Sequence, residues 1–391
     1  MSTVNRRAFI KASGLSAIPV LAPALPAFSN VASDPLPPVD KRPVHFVGDG
    51  EMYEPANYIK LLQEIDAGSP IKRDRYGEGG AVEALEKKFT EITGMEKAIF
   101  MPTGTMANQF AIKVLSGENT KIFVQETSHV FRDEADAAQS VHGKRLIPLA
   151  KGETGFTVDD LQQAVEYHKQ GEVFASGMGA VSIENPVRRT DGKMIPIEEL
   201  RKISDYCRKQ GLKLHLDGAR LFMASAWSGK SIAEYAALFD TVYISLYKYL
   251  GASSGAILCG SKNVIDKMPH LMKIHGGAMF GNWTNAAMAL KHVEGAEKRW
   301  QETKKRADEL FRLLNELPQL RITAEPNSTN IYSLKYSRGI DGTKVANSLF
   351  KDHNIRIGRP GNSETMRLIV NETILYQETA AIVDAFRKAL A

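Results

Sequence analysis

An aspartate and a lysine that could do chemistry each follow a short apolar run of the sequence. Asp217 follows the run 212–216, Lys248 follows the run 241–246, and an alanine-rich stretch with a helical pattern separates them. Two strands joined through a helix over roughly 30 residues form a βαβ unit. Both strands of such a unit end at the same edge of a parallel sheet, where open α/β sheets bind ligands. We therefore expect the two side chains to face one crevice.

These two side chains are what pyridoxal phosphate (PLP) requires of a protein. A lysine amine forms the Schiff base with the cofactor, and a carboxylate pairs with the pyridinium nitrogen and keeps it protonated. The alternative interpretation is structural, because a lysine after a strand is usually solvated and the Asp217-Gly218 pair is usually only a turn. Other parts of the chain have to discriminate between the two interpretations.

A second feature is a glycine-containing turn between a predicted strand and a predicted helix. The strand covers 97–101, and the turn is the segment PTGTMANQ at 102–109. A helix start leaves backbone N–H groups unpaired, and such groups bind phosphate. Gly104 lets the backbone approach a ligand closely, and the hydroxyls of Thr103 and Thr105 can add hydrogen bonds. The structural alternative is that many helices simply begin with Thr-Gly.

Strands and helices alternate over most of the chain, which favours a mostly parallel sheet. The predicted strands are 97–101, 121–125, 180–184, 212–216 and 241–246, and the predicted helices are 81–93, 156–167 and 197–210. The run 254–259 follows the loop of Lys248 too closely for a crossover helix, so we expect it to pair antiparallel. One helical stretch over 284–317 leads to predicted strands at 330–334 and 366–370 and predicted helices at 343–350 and 377–390. This last part indicates a small α+β domain.

The composition is that of an ordinary globular protein. The chain has 391 residues, of which 43% are hydrophobic and 24% charged, and this length is enough for two domains. The formal net charge is +5, but Arg6, Arg7 and Lys11 lie in an N-terminal segment without acidic residues. The remainder gives no basis for a nucleic-acid partner. Cys207 and Cys259 lack the spacing of metal ligands, and we expect both to be core thiols.

The N-terminus resembles a twin-arginine export signal. Paired Arg6 and Arg7 in RRAFIK precede a weakly apolar run that two prolines interrupt and that is too short to span a bilayer. We expect a signal peptide at 1–27, a linker at 28–43, a large PLP-binding domain at 44–285 and a small C-terminal domain at 286–391. The mature protein would then be periplasmic, without a membrane span, and the export machinery would be a partner. The alternative is a flexible basic tail.

Five segments, in this order, resemble the threonine aldolase branch of the aromatic amino acid β-eliminating lyases. They are PTGTMANQ, SHVF, SIENP, HLDGAR and SLYKYLGASSGA. The resemblance covers about residues 44–391. It implies the α/β fold of the fold type I PLP enzymes, with a mostly parallel seven-stranded sheet in the large domain. It also implies PLP as the cofactor, an amino acid as the substrate, and a homodimer or homotetramer.

The resemblance assigns roles to particular residues. It implies that Lys248 is the Schiff-base lysine, that Asp217 holds the pyridine nitrogen, and that His129 stacks on the ring and takes part in proton transfer. The phosphate would be held by Gly104, Thr105 and Ser245. The substrate carboxylate would be bound by Arg220 and Arg367, and Tyr76 would approach the site of the neighbouring subunit. No metal is expected.

The chain departs from the family pattern mainly around the substrate. The family usually has Ser-Asp-Thr where this chain has Gly48-Asp49-Gly50, and other departures lie at Val173, Val187, Tyr247, Tyr249 and Phe280. The resemblance first implies aldol cleavage of a β-hydroxy amino acid to glycine and an aldehyde. β-Elimination or transamination of another amino acid is the alternative with the same cofactor. A catalytically inactive binding protein on the same fold is the alternative without turnover.

Overall fold

The computed structural model describes residues 42–359 and 365–391. The predicted signal peptide at 1–27, and all of the predicted linker up to residue 41, lie outside the described residues. Among those that are described, no helix combines the length and the apolar character that a membrane span requires.

Twelve strands are found in the described ranges, and seven of them form the central sheet in the order β2-β8-β7-β6-β5-β3-β4. The strands are β1 (Val44–His45), β2 (Lys97–Met101), β3 (Lys121–Gln125), β4 (Arg145–Leu149), β5 (Met178–Glu184), β6 (Lys213–Asp217), β7 (Thr241–Ser245), β8 (Ala256–Gly260), β9 (Leu320–Ala324), β10 (Ile331–Tyr336), β11 (Ile355–Arg356) and β12 (Thr365–Ile369). Strands β3 to β7 run parallel, whereas β8 pairs antiparallel with both β2 and β7. The predicted mostly parallel sheet and its antiparallel strand are therefore confirmed.

Helices cover this sheet, which explains why its strands are apolar on both faces. The helices are α1 (Pro55–Gly68), α2 (Gly80–Thr93), α3 (Gly104–Ser116), α4 (His129–Arg132), α5 (Ala137–His142), α6 (Val158–Lys169), α7 (Ile197–Gln210), α8 (Leu221–Ser228), α9 (Ile232–Ala236), α10 (Lys262–Ile265), α11 (Met268–Ile274), α12 (Trp283–Val293), α13 (Ala296–Leu314), α14 (Gly342–His353) and α15 (Thr379–Ala389). All five residues of β7 and of β8 are buried. A strand buried on both faces shows a continuous apolar run rather than alternation.

The predicted long helix over 284–317 is wrong, because the structure contains two helices there. Helix α12 ends at Val293 and α13 begins at Ala296. Gly295 between them has φ +65°, a left-handed conformation that glycine adopts at little cost and that a continuous α-helix excludes. The apolar spacing continues across the break, so the pattern alone did not reveal it.

The C-terminal part has its own sheet and core. Strands β12, β10 and β9 form an antiparallel sheet, and β1 pairs in parallel with β11. Helix α13 contributes Trp300 to the core of the central sheet and Leu310 to the core of this smaller part, so it connects the two. The boundary predicted after residue 285 falls within α12, and the division into domains stays a prediction. Cys207 and Cys259 are buried free thiols.

Candidate active site

A pocket of about 250 Å³ lies at the carboxyl-terminal edge of the central sheet. Its lining residues are Pro102, Thr103, Gly104, Thr105, His129, Glu134, Glu184, Asp217, Ala219, Arg220, Tyr243, Tyr247, Lys248, Ser253, Ser254 and Gly255. These residues lie at the ends of β2, β5, β6 and β7, at the start of α3, in the segment after β3, and in the loop before β8. A larger cavity of about 850 Å³ lies between α1, α2 and α12, and none of the described residues that line it belongs to the predicted site.

The structure brings Asp217 and Lys248 into this one pocket. Asp217 is the last residue of β6 and is only 3% exposed, and Lys248 follows β7 and is 8% exposed. One oxygen of the Asp217 carboxylate accepts a hydrogen bond from the Asn108 side-chain amide at 2.8 Å, and the other accepts one from the Ala219 backbone N–H at 3.1 Å. The Lys248 ammonium lies 5.2 Å from the ring centroid of Tyr247. A fixed acid and a buried amine therefore share one small volume.

The start of α3 forms one wall of the pocket. Thr103 caps the helix by accepting a hydrogen bond from the Met106 backbone N–H at 3.2 Å. A Cβ atom on Gly104 would lie 2.0 Å from the hydroxyl oxygen of Tyr243, so any side chain there would collide with a buried ring. At Gly104, therefore, no side chain stands between the pocket and the first backbone N–H groups of the helix. Such a helix start favours an anionic group.

Replacing Gly104 by alanine is expected to destabilise the fold and to weaken phosphate binding. The new Cβ would also lie 2.5 Å from Cζ of Tyr243, so the ring or the helix start has to move. Overpacking of this kind costs about 1–3 kcal/mol. Chemical denaturation measures the stability, and a PLP titration measures the affinity. Gly68→Ala is the matched control, because nothing lies within 4 Å of its Cβ position. Equal behaviour of the two variants would contradict this interpretation.

Two serines that the sequence analysis did not single out also line the pocket. The side-chain oxygen of Asn285 accepts hydrogen bonds from the backbone N–H groups of Ser253 and Ser254 at 3.1 and 3.2 Å, and from the Ser253 hydroxyl at 2.8 Å. The only sequence signal was a pair of hydroxyls soon after Lys248. Ser245 is fully buried and is absent from the lining residues, so its predicted contact with phosphate stays a prediction.

His129 is held by a carboxylate that the sequence analysis also missed. Nδ1 of His129 lies 2.8 Å from Oε1 of the buried Glu134, and this hydrogen bond is the main cause that raises the pKa of His129. The Asp217 charge acts in the same direction, whereas burial and Lys248 oppose it. Pairing through Nδ1 leaves Nε2 available to a ligand.

Asn108 links this pair to Asp217. Its side-chain amide donates to Glu134 at 2.7 Å and to Asp217 at 2.8 Å, and its oxygen bonds Nε2 of His215 at 2.9 Å. An amide oxygen only accepts, so Nε2 of His215 carries the proton, and Nδ1 accepts from the Thr241 hydroxyl at 2.8 Å. Burial lowers the pKa of His215 to about 4, which keeps this imidazole neutral. The network holds His129, Glu134 and Asp217 together, so that a ring nitrogen of the histidine and one oxygen of each carboxylate lie within 4.8 Å of one another.

Glu134→Gln is expected to lower the pKa of His129. The glutamine keeps the shape but removes the negative charge that favours the imidazolium. The His129 proton resonance, assigned with a His129→Asn variant, can be titrated by NMR in the parent and in the variant. Glu118→Gln is the control, because that glutamate is exposed on the surface. An unchanged titration in Glu134→Gln would mean that Glu134 does not set the protonation of His129.

Glu184 is a further buried acid in the pocket. Burial raises the pKa of Glu184 above its ordinary value, and the charge of Asp217 adds to this effect. Its oxygens accept hydrogen bonds from the backbone N–H groups of His129 at 2.6 Å and Arg188 at 2.9 Å. Glu184 therefore fixes the backbone of His129.

Arg220 lies in the pocket and is bound to a carboxylate of its own chain. Its Nε and Nη2 donate to Oδ1 and Oδ2 of Asp49, both at 2.7 Å. The structure does not bring Arg367 to this place. Arg367 lies on the outward face of β12, where its side chain is 68% exposed and pairs with Asp191 at 2.7 Å. Its predicted contact with the substrate stays a prediction.

Tyr76 lies outside the pocket of its own chain. It is 52% exposed, with φ +55°, and its ring meets the exposed Phe280 edge-on at 5.4 Å between centroids. The Lys273 ammonium lies 5.4 Å from the centroid of the Tyr76 ring. Phe280 is also absent from the lining residues. The predicted approach of Tyr76 to a neighbouring subunit stays a prediction.

The seven-stranded sheet with a pocket at its carboxyl edge defines an α/β protein, and its similarity to solved structures confirms the predicted fold type I class. A structure from Exiguobacterium sp. 255-15, described as a putative aromatic amino acid beta-eliminating lyase/threonine aldolase, is 26% identical with a TM-score of 0.73 and covers 90% of this chain and 98% of that one. The beta-eliminating lyase family model matches residues 61–336. The chain belongs to this family.

Sequence relatives of this chain carry threonine aldolase names. The low-specificity L-threonine aldolase of Candida albicans is 36% identical over 221 residues, which make up 56% of this chain and 58% of that protein. The probable low-specificity L-threonine aldolase 2 of Arabidopsis thaliana is 30% identical over 271 residues, 69% of this chain and 76% of that protein. The match therefore spans little more than half of the first of these relatives and about three quarters of the second.

Proposed function

We propose that this chain is a PLP-dependent lyase that cleaves a threonine-like β-hydroxy amino acid to glycine and an aldehyde. The observation that carries the proposal is the pocket in which the buried Asp217, the buried Lys248 and the bare start of α3 meet. Membership of the beta-eliminating lyase family and the two aldolase-named relatives support the same reaction.

The residues of the pocket fit PLP. Lys248 would hold the cofactor covalently through Nζ, and the carboxylate of Asp217 would pair with the ring nitrogen. The start of α3 at Gly104 and Thr105 would hold the phosphate, where the packing of Tyr243 allows no Cβ on Gly104. When bound, PLP accepts the electron pair of the bond that breaks next to the substrate amino group.

The protein itself orients the substrate and moves its protons. Arg220 would bind the substrate carboxylate and so fix which bond of the α-carbon is presented for cleavage. His129, held through Nδ1 by Glu134, would accept the proton of the substrate hydroxyl at Nε2, directly or through a water that it positions. Asn108 keeps Glu134 and Asp217 in place during this transfer.

The test has two parts. First, the visible absorption spectrum of the purified protein is recorded before and after borohydride. Loss of the visible band after borohydride, with the reduced cofactor then found covalently on Lys248, supports PLP binding. Second, a product assay discriminates the reactions that use this cofactor. Glycine with an aldehyde supports the proposal, pyruvate with ammonia supports β-elimination, and a keto acid supports transamination. A protein that stays colourless with added PLP would overturn the proposal and favour the inactive binding protein.

The export route and the assembly are also proposals. Paired Arg6 and Arg7 support export of the folded protein to the periplasm, and cell fractionation of the parent against a variant with both arginines replaced by lysine tests it. A cytoplasmic parent would contradict export.

The exposed Tyr76 and Phe280 support a homodimer or homotetramer. Light scattering of the purified protein tests this, and a monomer would contradict it.

A further inference from the structure

We propose that Asp49 is a positioning residue for the substrate carboxylate. It holds the guanidinium of Arg220 by one edge, Nε with Nη2, and leaves Nη1 and the second hydrogen of Nη2 for the carboxylate of the amino acid. This inference rests on the proposed function, because it takes an amino acid as the substrate.

The geometry of the pair is that of a side-on fork. Both hydrogen bonds measure 2.7 Å, and each oxygen of Asp49 takes one nitrogen. A guanidinium has five N–H donors, and the described residues supply acceptors for two of those of Arg220. The Arg220 side chain is only 16% exposed. A cation this buried is stable only with a partner, and Asp49 supplies it without using the Nη1 end.

The backbone around Asp49 is shaped to deliver this carboxylate. Gly48 and Gly50 have φ +77° and +94°, conformations that other residues rarely adopt. A Cβ on Gly50 would lie 3.2 Å from Cα of Tyr249, and the Tyr249 N–H donates to the carbonyl of Asp49 at 2.9 Å. The turn of Asp49 is thus fixed to the residue after Lys248, and Asp49 connects the Lys248 loop with Arg220.

The charge of Asp49 is stable in this place. Burial works against its ionisation, but the hydrogen bonds and charge of Arg220, with a contribution from Lys248, bring its pKa below the ordinary value. A permanently charged Asp49 could instead compete with the substrate for Arg220. The two roles predict opposite results: removal of a competitor lowers KM, and removal of a positioning residue raises it.

The experiment measures Asp49→Asn and Asp49→Ala in the PLP-loaded full-length protein. The KM for the β-hydroxy amino acid and the Kd for glycine, followed by the cofactor absorption, are expected to rise about tenfold or more, as loss of a hydrogen bond to a charged group predicts. The kcat is expected to stay within about threefold, because a substrate that has bound still meets Arg220 and the same proton-transferring groups. Binding of ethanolamine, which is the β-hydroxy amino acid serine without its carboxylate, is expected to be unchanged.

Glu51→Gln is the matched control. Glu51 lies two residues away and accepts a hydrogen bond from Tyr376, outside the lining residues of the pocket. We expect it to leave the KM and the glycine Kd unchanged. An unchanged or lower KM in both Asp49 variants would overturn the proposal, and so would an equal loss of ethanolamine binding.

A second measurement does not depend on the reaction. Phenylglyoxal modifies arginines, and mass spectrometry of the cofactor-free full-length chain gives the modification rate of Arg220 against that of the exposed Arg367. We expect Asp49→Ala to speed the modification of Arg220 only, and an unchanged rate would mean that the pair does not exist in solution. If the parent neither binds PLP nor cleaves an amino acid, the proposed function fails while this measurement still reports on the pair.

Discussion

Lys248→Ala is expected to reduce glycine formation by about 10²–10⁴-fold, the contribution of a positioned proton-transfer group, or by more if covalent attachment is also lost. Lys248 is the only lysine among the described residues that line the pocket, so no neighbouring amine can replace it. It is also buried against Tyr247, where an alanine would leave a space.

The measurement compares steady-state glycine formation in parent and variant at equal loading with PLP. The absorption band after borohydride gives a second readout, because the variant cannot retain the cofactor covalently. Lys267→Ala is the control, since that lysine is exposed on the surface. Turnover of Lys248→Ala at the parental rate would remove this residue from the proposed mechanism.

Asp217→Asn is expected to reduce turnover by about 10²–10³-fold, the usual effect of removing one preorganised electrostatic group. The asparagine keeps the size of the side chain but cannot hold a proton on the ring nitrogen, and a neutral ring is a weaker electron acceptor. Its amide would also face the N–H of Asn108, which now donates to the carboxylate at 2.8 Å.

The design separates cofactor loss from loss of chemistry. PLP content and the protein melting temperature are measured together with the rate, because a variant that no longer binds PLP does not test the role of the Asp217 carboxylate in the reaction. Asp205→Asn, at an exposed aspartate of α7, is the control. Full activity of a loaded Asp217→Asn variant would contradict the role given to this carboxylate.

Local sequence patterns were sufficient for much of the framework. The apolar run of β7 predicted a buried strand, and its boundaries were nearly correct because both faces of the strand need apolar side chains. The short connection from Lys248 to β8 predicted the antiparallel pairing, since a parallel crossover needs more residues. The βαβ order predicted that Asp217 and Lys248 lie at one edge of the sheet, because both strands of such a unit end there.

Long-range side-chain contacts could not be predicted in this way. Asn108 had no local signal, because its partners Glu134 and Asp217 are 26 and 109 residues away and meet it only when α3 packs on the sheet. Glu134 lies only five residues after His129, but no local pattern marked that pair. Arg367 lies on a strand whose alternation predicts two faces, but the pattern does not say which other element each face meets. The break at Gly295 stayed hidden because glycine also occurs inside helices.

The sequence by itself determined the fold class, the family and the edge of the sheet where the candidate site lies, because apolar periodicity, connection lengths and motif order are properties of neighbouring residues. Only the tertiary structure decided that Asp49 occupies one edge of Arg220, that Glu134 holds His129, and that Arg367 lies outside the pocket. The contact of Asp49 with Arg220 and the place of Arg367 depend on the approach of residues far apart in the chain, and the contact of Glu134 with His129 depends on how the segment after β3 folds. The packing of the whole core sets that approach, and no local pattern contains it.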